Sequence, residues 1–101
     1  MGTRAQIQVE GSKVFVYKHY DGYPEDVLPR LRDLVDRFEK IRGYDPEYLT
    51  AQIVNMLIEE TKAWDDRYDM NEVGVGDVMH GDISYLYIIT KNWLIKTKKM
   101  Y

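Results

Sequence analysis

Cysteine is missing from this 101-residue chain, which excludes disulfides, a thiolate metal site and a thiol nucleophile. A cysteine-free chain suits a reducing compartment. Residues 1–9 lack the apolar run of a signal peptide. No stretch approaches the roughly 20 apolar residues of a membrane span. A cytoplasmic protein without membrane contact is therefore expected. Histidine occurs only twice and proline three times. The zinc pattern H-E-x-x-H, the nucleophile elbow G-x-S-x-G and the phosphate loops are absent, and Gly74-Val75-Gly76 belongs to none of them. A net charge of -3 gives no overall attraction to a polyanion.

What is present fits one globular domain over residues 1–101: 45% hydrophobic content and 13% aromatic, with nine tyrosines. The charges are unevenly placed. Glu59, Glu60, Asp65, Asp66, Asp69, Glu72 and Asp77 make one stretch mainly acidic, whereas Lys91, Lys96, Lys98 and Lys99 make the C-terminal stretch basic. Such runs are commonly solvated faces, and a basic edge can also hold an anion.

Ala5, Ile7 and Val9 alternate with Arg4, Gln6 and Gln8, the period of a half-buried strand. Residues 14–17 form a second strand, with Gly11-Ser12 as the hairpin turn. That register sets Ile7 opposite Val16 and Arg4 opposite His19. It puts Ala5, Ile7, Val9, Val14 and Val16 on the core face, with Arg4, Gln6, Gln8, Phe15, Tyr17 and His19 on the other. After a turn at residues 21–24, Val27, Leu28, Leu31, Leu34, Val35, Phe38 and Ile41 recur at helical spacing. Pro29 is expected in the first turn of that helix, so the regular helix should begin near Asp26 and end at Gly43. Asp45-Pro46 reads as N-cap and first residue of a second helix, with Leu49, Ile53, Met56, Leu57 and Trp64 buried. Residues 65–76 read as a loop and 75–79 as a short strand. Residues 83–89 are the clearest strand. Residues 93–95 follow a Lys91-Asn92 turn. That last register groups Leu86, Ile88, Trp93 and Ile95 on one face, and Tyr85, Tyr87, Ile89, Leu94, Lys96 and Lys98 on the other.

The expected fold is α+β in the order ββααβββ: a mainly antiparallel sheet of four or five strands with an antiparallel helical hairpin on one face. The uncovered face then carries Tyr17, Tyr85 and Tyr87 with Lys96 and Lys98. Tyrosine is apolar with one polar tip, which suits an interface. Self-association through this face as a homodimer is thus the leading expectation, and no enzyme activity or cofactor goes with it. The same aromatic and basic types could stack and neutralise a nucleic-acid strand, a less favoured reading. A third reading starts from His19-Tyr20-Asp21 and His80-Gly81-Asp82. Residues two apart on a strand point the same way. Two such pairs supply His19, Asp21, His80 and Asp82 as ligands for a divalent metal. Arg4 would clamp the anion of a phosphate-bearing substrate. Both pairs also lie at turns, where Asp and Gly occur for backbone reasons alone.

Three strings resemble an uncharacterised family of small prokaryotic and mobile-element proteins: Gly2-Thr3-Arg4-Ala5, then Tyr17-Lys18-His19-Tyr20-Asp21-Gly22-Tyr23-Pro24, then His80-Gly81-Asp82-Ile83-Ser84-Tyr85-Leu86-Tyr87. The family is typified by a G-T-R-A opening, a Y-R-H-x-D-G-Y-P turn and a G-D-I-x-Y-L-Y strand. Lys18 stands where arginine is usual. The resemblance implies a shared fold, brings no activity, and marks Arg4, His19, Asp21, Gly22, Gly81 and Asp82.

Overall fold

The first hairpin forms in the expected register, Ile7 opposite Val16 and Ala5 opposite Lys18, between β1 (Ala5–Val9) and β2 (Phe15–Lys18). Its turn is centred one residue early. Ser12 N donates to Val9 O (2.9 Å), and Gly11 takes φ +95, a conformation that costs glycine least. The protein is described by a computed structural model covering residues 3–64 and 72–100, without the side chains of Thr61, Ala63 and Trp64. The buried role expected of Trp64, and most of the loop expected over 65–76, fall outside these residues.

Helix α1 (Pro24–Ile41) starts earlier than expected, with Pro24 at its first position and Pro29 inside it. Val27 N donates to Tyr23 O (2.9 Å), so the helical ladder is established before Pro29. Val27, Leu31, Leu34, Val35 and Phe38 are buried as the stripe requires, but Ile41 is 82% exposed. Gly43 is not the left-handed cap; Arg42 closes the helix in extended conformation. Helix α2 (Pro46–Trp64) begins as expected, Asp45 Oδ1 accepting from Tyr48 N (3.4 Å). Leu49, Ile53 and Leu57 are buried, and Met56 packs partly buried against them. Arg30 near the start of α1 touches Glu60 near the end of α2, so the helices run antiparallel.

Three more strands complete the sheet: β3 (Val73–Gly76), β4 (Tyr85–Ile89) and β5 (Ile95–Lys99), in spatial order β3-β2-β1-β4-β5. β3 lies two residues before the strand expected at 75–79, inside the expected loop. The sheet is mixed, because β1 and β4 pair in parallel while the other three pairings are antiparallel. Ala5, Ile7, Val9, Val16, Tyr87 and Ile89 face the helices and form one core with Val27, Leu31, Val35, Leu49, Ile53 and Leu57.

The β4–β5 register is one residue off the expected one. Ile89 pairs with Ile95 and Tyr87 with Thr97, so the loop holds Lys91, Asn92 and Trp93. Trp93 N donates to Thr90 O (2.9 Å), Thr90 N donates to Leu94 O (2.8 Å), and Trp93 sits at φ 65. This is a three-residue hairpin loop with its left-handed position filled by tryptophan. The ring offsets that strain by packing against Phe38 and Tyr44, at 6.1 and 5.4 Å between centroids.

Candidate functional site

The turn after β2 is built by close approach. Gly22 N donates to Thr3 O (2.8 Å). A Cβ at Gly22 would lie 2.7 Å from Ala5 Cβ and 2.8 Å from Thr3 O, so only glycine fits. The buried Tyr87 hydroxyl donates to Gly22 O (2.6 Å). Burial, with smaller contributions from Tyr85, Glu25 and Asp26, pushes the Tyr87 phenol far above its ordinary value. Asp21 stands at φ 55 in this turn, which aspartate tolerates. Thr3, Ala5, Gly22 and Tyr87, drawn from three distant strings of the sequence, thus meet at one backbone junction.

On the face away from the helices, the chain from β3 must cross β2 and β1 to reach β4. Gln6 holds this strap. Its Nε2 donates to Val78 O (3.1 Å), and its Oε1 accepts from His80 N (2.9 Å). Gln6 is consequently only 1% exposed. The His80 ring stacks on Tyr17 (4.8 Å, 25°). Tyr17 Oη lies 3.0 Å from His19 Nδ1, and Tyr20 meets His19 edge-on. Arg4 Nη1 donates to Asp82 Oδ2 (2.9 Å). Burial raises the Tyr17 phenol above its ordinary value; the Asp82 carboxylate adds to this and Arg4 opposes it.

Four of the expected site residues, Arg4, His19, His80 and Asp82, are therefore neighbours around Tyr17, but not as a metal centre. Asp82 is engaged by Arg4, and Asp21 lines a polar cleft of about 190 Å³ with Asp26, Arg30 and Glu60. Among the described residues no group of three or more His, Asp or Glu side chains converges to hold an ion. The structure thus does not gather His19, Asp21, His80 and Asp82 into the expected four-ligand group. Tyr17 is what links the two histidines.

The five residues expected at the aromatic interface do not share one face. Parallel pairing with β1, Ala5 opposite Tyr85 and Ile7 opposite Tyr87, puts both tyrosines on the helix side, and Tyr87 is fully buried. Tyr17 remains on the far face under His80, while Lys96 and Lys98 are exposed on the edge strand β5. Trp93 and Ile95 pack against the core rather than share a face with Leu86 and Ile88.

Sequence reasoning missed a buried charge cluster. Lys18 has the same strand parity as Val16 and therefore points inward, where it is 6% exposed. Its Nζ lies 3.4 Å from Glu60 Oε1, and Arg30 contacts the same carboxylate oxygen. The parity of Lys18 was readable, as was Glu60 three residues beyond Leu57 on the α2 stripe. Their meeting depends on how α2 crosses β2, which has no local signature.

The two sheet edges differ. β5 carries Lys96, Lys98 and Lys99, the usual guard against edge pairing. β3 reads Val-Gly-Val-Gly with no lysine or proline, between Glu72 and Asp77. Val75, Val78 and Met79 are 57%, 66% and 46% exposed along it and the strap. The fold defines a two-layer α+β domain with a five-stranded mixed sheet, and no helix of the described residues is long and apolar enough to cross a membrane. Comparison with family models, curated proteins and solved structures finds no match to the chain.

Proposed function

We propose that this protein is a non-enzymatic interaction module that self-associates, with the β3 edge and the adjoining strap as its contact surface. The carrying observation is the unguarded edge among the described residues: Val75 lies exposed on a strand without lysine or proline, and Val78 and Met79 lie exposed on the strap that leaves it. An edge strand presents a row of backbone donors and acceptors that another strand can pair with. Val73 and Val75 aim theirs away from β2, because His19 N donates to Glu72 O (2.8 Å) and the hydrogen-bonded positions then alternate through Gly74 and Gly76. Gln6 ties the strap that leaves β3 down over the sheet, so it does not cover this edge.

Sedimentation velocity over a concentration series tests the proposal. Mass should rise above 12.0 kDa with concentration. Val75→Pro should remove the rise, since its lost N–H is not part of the β2 ladder. A wild-type protein that stays at monomer mass throughout would end this reading.

A further inference from the structure

We infer that the β3 edge of one copy receives the β5 edge of the next, antiparallel, so that copies join head to tail in one continued sheet. The inference rests on the reading that the chain self-associates along β3, and it names the strand that arrives there.

Strand direction fits. β3 is antiparallel to β2, β2 to β1, β1 parallel to β4, and β4 antiparallel to β5, so β3 and β5 run in opposite senses at the two edges. A second copy in the same orientation, helices on the same side, therefore presents β5 antiparallel to β3. The hydrogen-bonding positions fit as well. Met100 N donates to Ser84 O and Thr90 N to Leu94 O, both at 2.8 Å. Alternation then turns the backbone groups of Lys96 and Lys98 toward β4, and those of Ile95 and Thr97 outward. The outward residues of β3 are Val73 and Val75. All four have helix-side side chains, because they pair with Lys18, Val16, Ile89 and Tyr87.

Setting Val75 opposite Ile95 and Val73 opposite Thr97 places Glu72 opposite Lys98 on the other face. It also lays the Lys96 stem over Gly74, which has no side chain to obstruct it. The chemistry is complementary: Val75 meets Ile95 as apolar against apolar, Val73 meets Thr97 as two β-branched residues, and Glu72 meets Lys98 as acid against base. The alternatives lack this. β3 against β3 gathers Glu72 and Asp77 from both copies, and β5 against β5 gathers their lysines. The lysines that guard β5 against its own kind thus become the specificity element toward an acid-flanked strand. Such a contact is heterologous, so growth continues unless the rotation closes a ring.

Two edge-blocked variants test this by light scattering. Val75→Pro blocks β3 and leaves β5; Thr97→Pro blocks β5 and leaves β3. Each alone should be monomeric. Their equimolar mixture should give one species of twice the monomer mass and nothing larger, whereas wild type grows past the dimer. A Thr97→Pro protein that dimerises by itself, or a mixture that stays monomeric while wild type associates, overturns the inference and leaves self-association standing. Wild type that never associates overturns both. A charge swap provides variants that leave the backbone untouched. Glu72→Lys should raise the concentration for half-assembly roughly fivefold, and adding Lys98→Glu to it should restore assembly. No recovery in that double variant contradicts the Glu72–Lys98 register.

Discussion

Removing Glu60 should destabilise the protein far more than removing its partner Lys18. The Lys18 and Glu60 side chains are 7% and 13% exposed, while Arg30 is 42% exposed. Glu60→Leu strands the Lys18 ammonium in the core without the counter-charge that the described residues give it. A buried pair broken in this way loses roughly 3–5 kcal/mol. For a chain of this size that lowers the melting temperature by at least about 12 °C. Lys18→Met leaves Glu60 neutralised by Arg30 and fills the same space with apolar atoms, so its cost is about 1 kcal/mol or less. The double variant Lys18→Met/Glu60→Leu leaves only Arg30, which can turn to solvent, and should return to wild-type stability or exceed it. Urea titration followed by circular dichroism reads all three, with unchanged slopes required for the comparison. A Glu60→Leu protein within about 1 kcal/mol of wild type, or a double variant as unstable as Glu60→Leu, refutes the reasoning.

Gly22→Ala forces a methyl within 2.7 Å of Ala5 Cβ and should cost about 1–3 kcal/mol. Ala5→Gly added to it should recover part of that loss in the same titration, the rest remaining with the Thr3 carbonyl. Stability should also fall above about pH 10, where tyrosines of the unfolded chain ionise. The buried Tyr87 phenol stays protonated, so the unfolded state binds fewer protons there and is favoured as pH rises. Tyr87→Phe should be less stable at neutral pH by about 1–2 kcal/mol, through the bond lost to Gly22 O, and should show a shallower alkaline slope. Gln6→Leu leaves Val78 O and His80 N without their partners, and hydrogen exchange at the His80 amide should quicken while the β1–β4 ladder stays protected.

The order of elements, the first hairpin register and the Asp45 cap were legible because local chemistry dictates them. Alternation in Ala5, Ile7 and Val9 settles which face is buried. Asp45 before Pro46 sets a helix start. The second hairpin register was not legible, since it depends on Trp93 accepting a left-handed backbone in return for contact with Phe38 and Tyr44. That single shift put Ile95 and Thr97, rather than Lys96 and Lys98, on the face of Tyr85 and Tyr87, while pairing with β1 turned that face toward the helices. The parallel β1–β4 pairing had no local sign either, because it needs the strap that Gln6 holds across the sheet. The repeated His-x-Asp strings have structural roles. They bracket a backbone junction and an aromatic stack, and their carboxylates diverge toward Arg4 and toward the α1–α2 cleft.

Residue-resolved amide exchange in dilute and concentrated wild-type protein tests the edge-pairing account most directly. The Val73 and Val75 amides on β3, and the Ile95 and Thr97 amides on β5, face away from their neighbours within one copy. They should exchange fast when dilute and become protected together as concentration rises. Association that grows while these four amides stay equally fast would contradict the account.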